Sequence, residues 1–236
     1  MSEWKNKRFW DKADITVVDE GFGITLDGRP VKTPQKQNLL VPTEQMARAI
    51  SDEWDAQEEV VDPTSMPWTR SANSAIEKVR IQRKDVENHL AEYAASDLLC
   101  YRAAAPQELT QRQEKRWGPV MTWIEETYDA PFSTTTGVMP VVQPSESVRK
   151  LSALMTSMDD FELTGFHDLV TVSGSFMIAT SVIKKRYLPE DAWSLSRLDE
   201  EWQTEQWGVD EEAEEVAALK KTAFQHAFDF FAAAQK

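Results

Sequence analysis

The two parts of the chain carry different hydrophobic periods. From Ile15 the apolar positions alternate, Ile15 and Val17 with Thr16 and Val18, then Phe22, Ile24 and Leu26 with Gly23 and Thr25. That is the period of strands lying on a core. Asp27-Gly28 marks a hairpin, because a type I′ turn needs positive φ at both central residues. Pro30 and Pro34 restrict the partner strand to a short or edge segment, and residues 38–41 can add one more. Thr43 is placed to cap a helix whose buried stripe is Met46, Ile50 and Trp54 and which ends around Gln57. Before the sheet, Trp4, Phe9 and Trp10 suit a terminal arm packed on the body. After it, Asp62-Pro63 and Met66-Pro67 break regular structure.

Beyond residue 70 the period is helical. Ile76, Val79, Arg83, Val86, Leu90, Tyr93 and Asp97 recur at spacings of 3 and 4 and predict one long helix towards Tyr101, its seam interrupted by Arg83 and Asp97. A second helix follows Pro106, carries Leu109 and Gln113, and is kinked or restarted at Pro119 before Val120, Trp123, Ile124 and Tyr128 continue inward. Residues 129–144 read as a loop. Ser145 can cap a helix bearing Val148, Leu151, Met155 and Met158. Phe161, Phe166, Leu169 and a small-residue run to Tyr187 give one or two packed helices, of which 169–183 should be buried. From Pro189 one helix with a Leu195, Leu198, Trp202 seam runs to a stop at Gly208, and Asp210 caps a last helix with Val216, Ala223, Phe224, Ala227 and Phe231 inside. The fold class is α+β: a small N-terminal antiparallel sheet with a packed helix, residues 1–65, followed by a larger all-helical domain, residues 66–236.

Composition narrows the partners. Against 26 Lys and Arg stand 40 Asp and Glu, a net charge of −14, so phosphate backbones and anionic membranes are repelled, and a basic or amphipathic protein surface is the natural complement. The uncharged run 169–183 is shorter than the roughly 20 residues of a membrane span, which argues against insertion. A lone cysteine, Cys100, allows no internal disulfide and fits a reducing compartment. The N-terminus shows no signal or transit pattern, which favours a bacterial cytoplasm, or a mitochondrial matrix if the chain is a trimmed form. A monomer is expected.

The acidic stretch 196–212 stands out. At about 100° per residue, Arg197, Glu201 and Glu205 line one flank of the seam, Asp199 and Gln203 the other, and Glu200 faces away. Arg197 is the only basic residue between Glu190 and Glu215, so most of these carboxylates lack a local counter-ion and form either a solvated rim or a docking surface. An acid–base pair, Glu201 with Glu205 or Asp97 with Glu200, would need one carboxylate desolvated in a cleft. His89, His167 and His226 have no metal-like spacing, and no phosphate loop or nucleophile elbow is present. No metal, cofactor or catalytic residue is therefore assigned.

Six strings occur in an order that resembles one family: Arg8-Phe9-Trp10, Leu26-Asp27-Gly28-Arg29-Pro30 with Lys32-Thr33-Pro34, Glu53-Trp54-Asp55-Ala56-Gln57, Met66-Pro67-Trp68-Thr69, Asp97-Leu98-Leu99-Cys100-Tyr101-Arg102, and Glu201-Trp202-Gln203 with Trp207-Gly208. The chain resembles the assembly chaperones dedicated to the alpha subunit of the catalytic sector of F-type ATP synthase. Residues 129–190 contribute no matching string. The resemblance implies a non-enzymatic role, holding newly made alpha subunit so that its exposed interface does not aggregate before beta arrives. It also implies partner contacts at Glu201, Gln203, Trp207 and Glu212, with Trp54, Asp55 and Gln57. Trp54 sits on the expected buried stripe, where packing is the competing role, and Glu201 could pair with Arg197. An acid–base enzyme built on the carboxylates around Glu201, and a subunit that stays in the mature synthase, are the rival readings.

Overall fold

A computed structural model of the chain describes residues 7–137 and 139–235; Trp4 of the expected arm lies outside them. The chain divides into two compact units. Unit 1 holds the residues up to Arg83 together with Asp159–Gly165 and the segment from Asp229 onward, and unit 2 holds Lys84–Met158 and Phe166–Phe228.

In unit 1, β1 (Ala13–Val18) and β2 (Gly21–Leu26) pair antiparallel along their whole length, from Ala13 opposite Leu26 to Val18 opposite Gly21. The other edge of β2 is shared by β3 (Arg29–Pro30) and β4 (Leu40–Val41). Asp27 and Gly28 have φ of 47° and 79°, the hairpin geometry their identities demand. Gly21 is required for a different reason: a Cβ there would lie 2.5 Å from the Val41 carbonyl oxygen. Helix α1 (Glu44–Asp55) starts where Thr43 Oγ1 accepts from the Met46 amide at 3.3 Å, and buries Met46, Ala47 and Ile50 against Ile24, Leu26 and Leu39. Trp54 is only half-buried. Thr43 Oγ1 also donates to the Ala233 carbonyl at 2.6 Å.

The helix expected to run from Ile76 to Asp97 is broken. Helix α2 (Pro67–Ser74) opens into a wide turn at Ala75–Val79, and α3 (Arg83–Ala95) begins only after a turn at Ile81 and Gln82. Arg80 and Arg83 flank the break and both reach the Asp160 carboxylate, at 3.0 and 3.2 Å. Rings from distant parts of the chain fill the core beneath: Phe230 lies 5.7 Å from Trp68 and 6.4 Å from Phe161.

Unit 2 is built around α7 (Phe176–Ile183), all eight residues of which are buried. The apolar run 169–183 is shared by two helices, the second of the alternatives the sequence allowed: α6 (Asp160–Ser173) ends at Gly174, φ 72°, and Ser175 caps α7 by accepting from the Ile178 amide. Asp97 joins that cap. Fully buried, it accepts from Ser175 Oγ at 2.7 Å, from the Met177 amide at 2.9 Å and from the Leu99 amide at 3.0 Å, the last in a single turn at Leu98–Cys100. Burial pushes its carboxyl up to about 6, against these hydrogen bonds, which favour the charged form. Cys100 beside it is wholly buried, with its thiol pushed up to about 12, which fits a core residue rather than a nucleophile.

Helix α4 (Gln107–Tyr128) runs unbroken through Pro119, which faces solvent where the lost hydrogen bond matters least. The stretch 129–144 is not wholly loop, since β6 (Thr135–Thr136) pairs parallel with β5 (Tyr101–Arg102). Helix α5 (Ser145–Ser152) begins at Ser145 without a side-chain cap, whereas Ser147 donates to the Pro131 carbonyl. The segment from Pro189 is two helices, α8 (Pro189–Ser196) and α9 (Leu198–Trp207), separated by Arg197 with ψ near 9°. Gly208 ends α9 at φ 93°, and Asp210 caps α10 (Glu211–Ala234) through the Glu212 and Ala213 amides. On α10 Phe224, Ala227 and Phe231 are buried as expected, but Val216 and Ala223 are exposed and Phe230 is buried instead. Among the described residues no helix is long and apolar enough to cross a membrane.

Replacing Thr43 by Ala should lower stability by about 1–2 kcal/mol, because one hydroxyl serves both the α1 cap and the Ala233 carbonyl; urea unfolding measures it, with Thr43→Ser close to wild type. Asp97 should also leave a pH signature. Its folded-state value lies above the ordinary 3.8, so the folded protein holds the proton more tightly. That contribution is complete below 3.8 and is lost as pH rises through about 6, a change on the order of 3 kcal/mol. Melting curves between pH 4 and 7 should therefore show Asp97→Asn gaining on wild type as pH rises, with no further relative change above 7.

Candidate functional site

Helix α9 is held by a chain of long-range polar contacts within unit 2. The Trp117 indole N–H, fully buried, donates to the Leu195 carbonyl at 2.9 Å at the end of α8. The Arg102 guanidinium lies 5.1 Å over the Trp117 ring and donates to the Gln113 carbonyl. The buried Gln113 side chain accepts from the Ala103 amide and donates to Asp199 Oδ1, both at 2.8 Å. Arg102 and Asp97, which share one of the family strings, are thus spent on different partners.

The acidic positions of α9 sort into committed and uncommitted groups. Glu205 receives both arms of Arg112, at 2.8 and 2.9 Å, and Arg112 also lies 5.4 Å over the Trp202 ring. Its carboxyl is held below the usual range by that hydrogen bond and charge. Glu200 takes Arg197 at 2.7 Å. The break at Arg197 carries this arginine off the flank that a continuous helix would have given it, so it meets Glu200 and packs against Trp193 rather than meeting Glu201. Glu201 is exposed and, among the described residues, accepts only from the Ser194 hydroxyl, at 3.2 Å. Glu201 and Glu205, directed to different partners on an exposed surface, do not converge in a closed cleft.

Gln203, Trp207 and Glu212 are each exposed in unit 2, Gln203 on the flank of α9 away from Glu201, and their side chains make no hydrogen bond or ion pair among the described residues. Trp207 is 79% exposed, followed by Val209 at 65%, and Leu219 on α10 is 73% exposed. Glu211, Glu212, Glu214 and Glu215 stand on the same first turns of α10. The arrangement is an open surface of apolar side chains among unpaired carboxylates, suited to binding a protein surface rather than to bond-making chemistry.

Trp54, Asp55 and Gln57 lie in unit 1, and each is engaged there. Asp55 accepts from the Ala13 amide at 2.7 Å, tying the end of α1 to the start of β1. Gln57 is 5% exposed; its amide donates to the Glu53 carbonyl and to Ser65 Oγ and accepts from the Asp62 amide. Arg8 donates to the Asp55 and Gln57 carbonyls and packs on Trp10. Trp54 meets Trp10 edge to face at 5.3 Å.

Several of these features have no local sequence signal. Arg112, which neutralises Glu205, lies 93 residues from it, and the His89 and His167 rings, far apart in sequence, come to 6.1 Å. Among the described residues no group of three or more His, Cys, Asp or Glu could hold a metal ion. Gln113 alone had a signal, as a polar residue on an apolar helix face.

Residues 7–125 match the family model described as ATP12 chaperone protein. The chain is 25% identical over 222 residues to the mitochondrial protein atp12 of Schizosaccharomyces pombe, covering 89% of this chain and 76% of that protein. The crystal structure of Atp12 from Paracoccus denitrificans is 45% identical, with a TM-score of 0.94 over 99% of this chain and all of that one. The Atu1473 protein of Agrobacterium tumefaciens is 36% identical, with a TM-score of 0.93 over 97% of this chain and 86% of that one. With half of its length matched by the family model and its whole fold shared at 45% identity, the chain belongs to the ATP12 chaperone family.

Proposed function

We propose that this chain holds unassembled alpha subunit of F-type ATP synthase, and that the exposed acidic and apolar surface of α9 and the start of α10 supplies the contact. Family membership supports an ATP synthase assembly chaperone. The observation that carries the finer reading is the sorting of side chains on α9: Asp199, Glu200 and Glu205 are consumed inside unit 2, while Glu201, Gln203, Trp207 and Glu212 remain open. A large aromatic at 79% exposure amid unpaired carboxylates is a poor free surface and a good docking one. An unassembled ring subunit presents such a complementary face until its neighbour arrives, and the cover is displaced when that neighbour binds the same face better. ATP need not be consumed. Trp54, Asp55 and Gln57 serve the partner through the path of the chain between α1 and the N-terminal arm. In this reading the chain acts as a non-catalytic monomer in a bacterial cytoplasm or a mitochondrial matrix; relatives of both origins support the two compartments.

Co-expression with isolated alpha subunit tests this. Wild type should keep alpha soluble and co-purify with it, and Glu201→Lys, shown folded by circular dichroism and melting, should lose at least tenfold in co-purified alpha. Trp207→Ala should lose a comparable amount, whereas Glu205→Gln should lose less. A wild-type chain that neither binds nor protects alpha overturns the proposal. Stoichiometric presence of the chain in purified ATP synthase would instead make it a resident subunit.

A further inference from the structure

We infer that unit 1 carries a second binding site of opposite chemistry, a groove that takes an acidic segment of protein chain anchored by an apolar side chain. The groove encloses about 600 Å³, within the range that accepts a few side chains rather than a folded domain. Its aromatic wall is Phe9, Trp10 and Trp54, stacked edge to face with centroids 5.2 and 5.3 Å apart. Phe9 is 67% exposed, so a large apolar ring stands open beside the groove. Lys7, Arg29 and Lys32 form its rim, all exposed and none in an ion pair among the described residues.

Three observations select the occupant. In a chain of net charge −14, three unpaired cations around one groove are a local reversal of sign, and their complement is a carboxylate-bearing ligand. The nearby carboxylates are hydrogen-bonded elsewhere and form no ion pair with these cations among the described residues: Asp27 accepts from the Asp11 and Lys12 amides, and Asp55 from the Ala13 amide. The indole N–H groups of both Trp10 and Trp54 are buried without an acceptor among the described residues. Unmatched donors beside a groove favour a ligand that brings carbonyl or carboxylate oxygens. An acidic chain segment with one aromatic or aliphatic anchor offers all of these, the anchor against Phe9 and the carboxylates on the rim. That the segment comes from a client protein rests on the chaperone reading; the chemistry of the groove does not.

The probe is a blocked peptide, acetyl-Asp-Leu-Asp-Phe-Glu-amide, titrated into the full chain at low salt and followed by calorimetry and tryptophan fluorescence. Two further peptides serve as controls, one with lysines replacing the acids and one with serines replacing Leu and Phe. The acidic peptide should bind and both controls should bind at least tenfold more weakly. Added salt should weaken the acidic peptide, and the surface variant Arg29→Glu/Lys32→Glu should lose at least tenfold while keeping the wild-type melting temperature. A second variant, Phe9→Ser, should lose affinity without changing the salt dependence. Equal binding of acidic and basic peptides, no binding, or undiminished binding to the Arg29→Glu/Lys32→Glu chain overturns the site. Co-expression with alpha subunit separates the two ideas. A wild type that protects alpha yet binds no peptide removes the groove alone, and peptide binding without alpha protection removes the alpha reading alone.

Discussion

The interior of unit 2 depends on one buried carboxylate. Asp97 gathers the first turn of α7, its capping serine and the turn at Leu98 onto two oxygen atoms, so three separately encoded pieces of backbone meet with no donor left over. A buried acid is tolerable only under such saturation. Because α7 is buried on every side, its axis orients the helices around it. A second polar relay, from the Leu195 carbonyl through Trp117, Arg102 and Gln113 to Asp199, then sets where α9 stands on that interior. The displayed carboxylates are exposed, but their placement is decided by groups that water never reaches.

Arginines outside α9 do the sorting on the surface. Arg112 removes Glu205 from the pool of free charge and covers the Trp202 ring, and Arg197 removes Glu200. What is left is a small set of open acids around Trp207, on a protein whose other unit presents a cationic, aromatic groove. Opposite local charges on one acidic chain allow two recognition events of different salt dependence, a property that net charge alone would hide.

Much of the sheet unit was legible because its signals are local. Asp27-Gly28 could only turn, Thr43 could only cap, and the alternation through Phe22, Ile24 and Leu26 could only face a core on one side. Periodicity was less informative for the helices. It says which residues share a face, not which turns of that face are covered, so Val216 and Ala223 repeat with Phe224 yet stand in solvent. Nor does it reveal where a helix breaks. Arg197 is a good helix former, yet the chain bends there, just after the Leu195 carbonyl that Trp117 holds; Arg80 and Arg83 stand at a break where both meet Asp160. Of the candidate site, composition showed the acidity of α9, but the internal claims on half of its carboxylates came from residues about 80–95 positions away.

The hydrogen bond between Thr43 and Ala233 joins residues 190 positions apart. Unit 1 also needs Phe230 among Trp68 and Phe161 to complete its core. Chains are made from the N-terminus, and domains ordinarily fold as they emerge. Here the earliest unit to be synthesised cannot close until the final turn of the last helix has left the ribosome. A folding helper of this architecture is itself unfinished while its later helices are being made, and its first unit becomes competent only once the end of α10 has emerged.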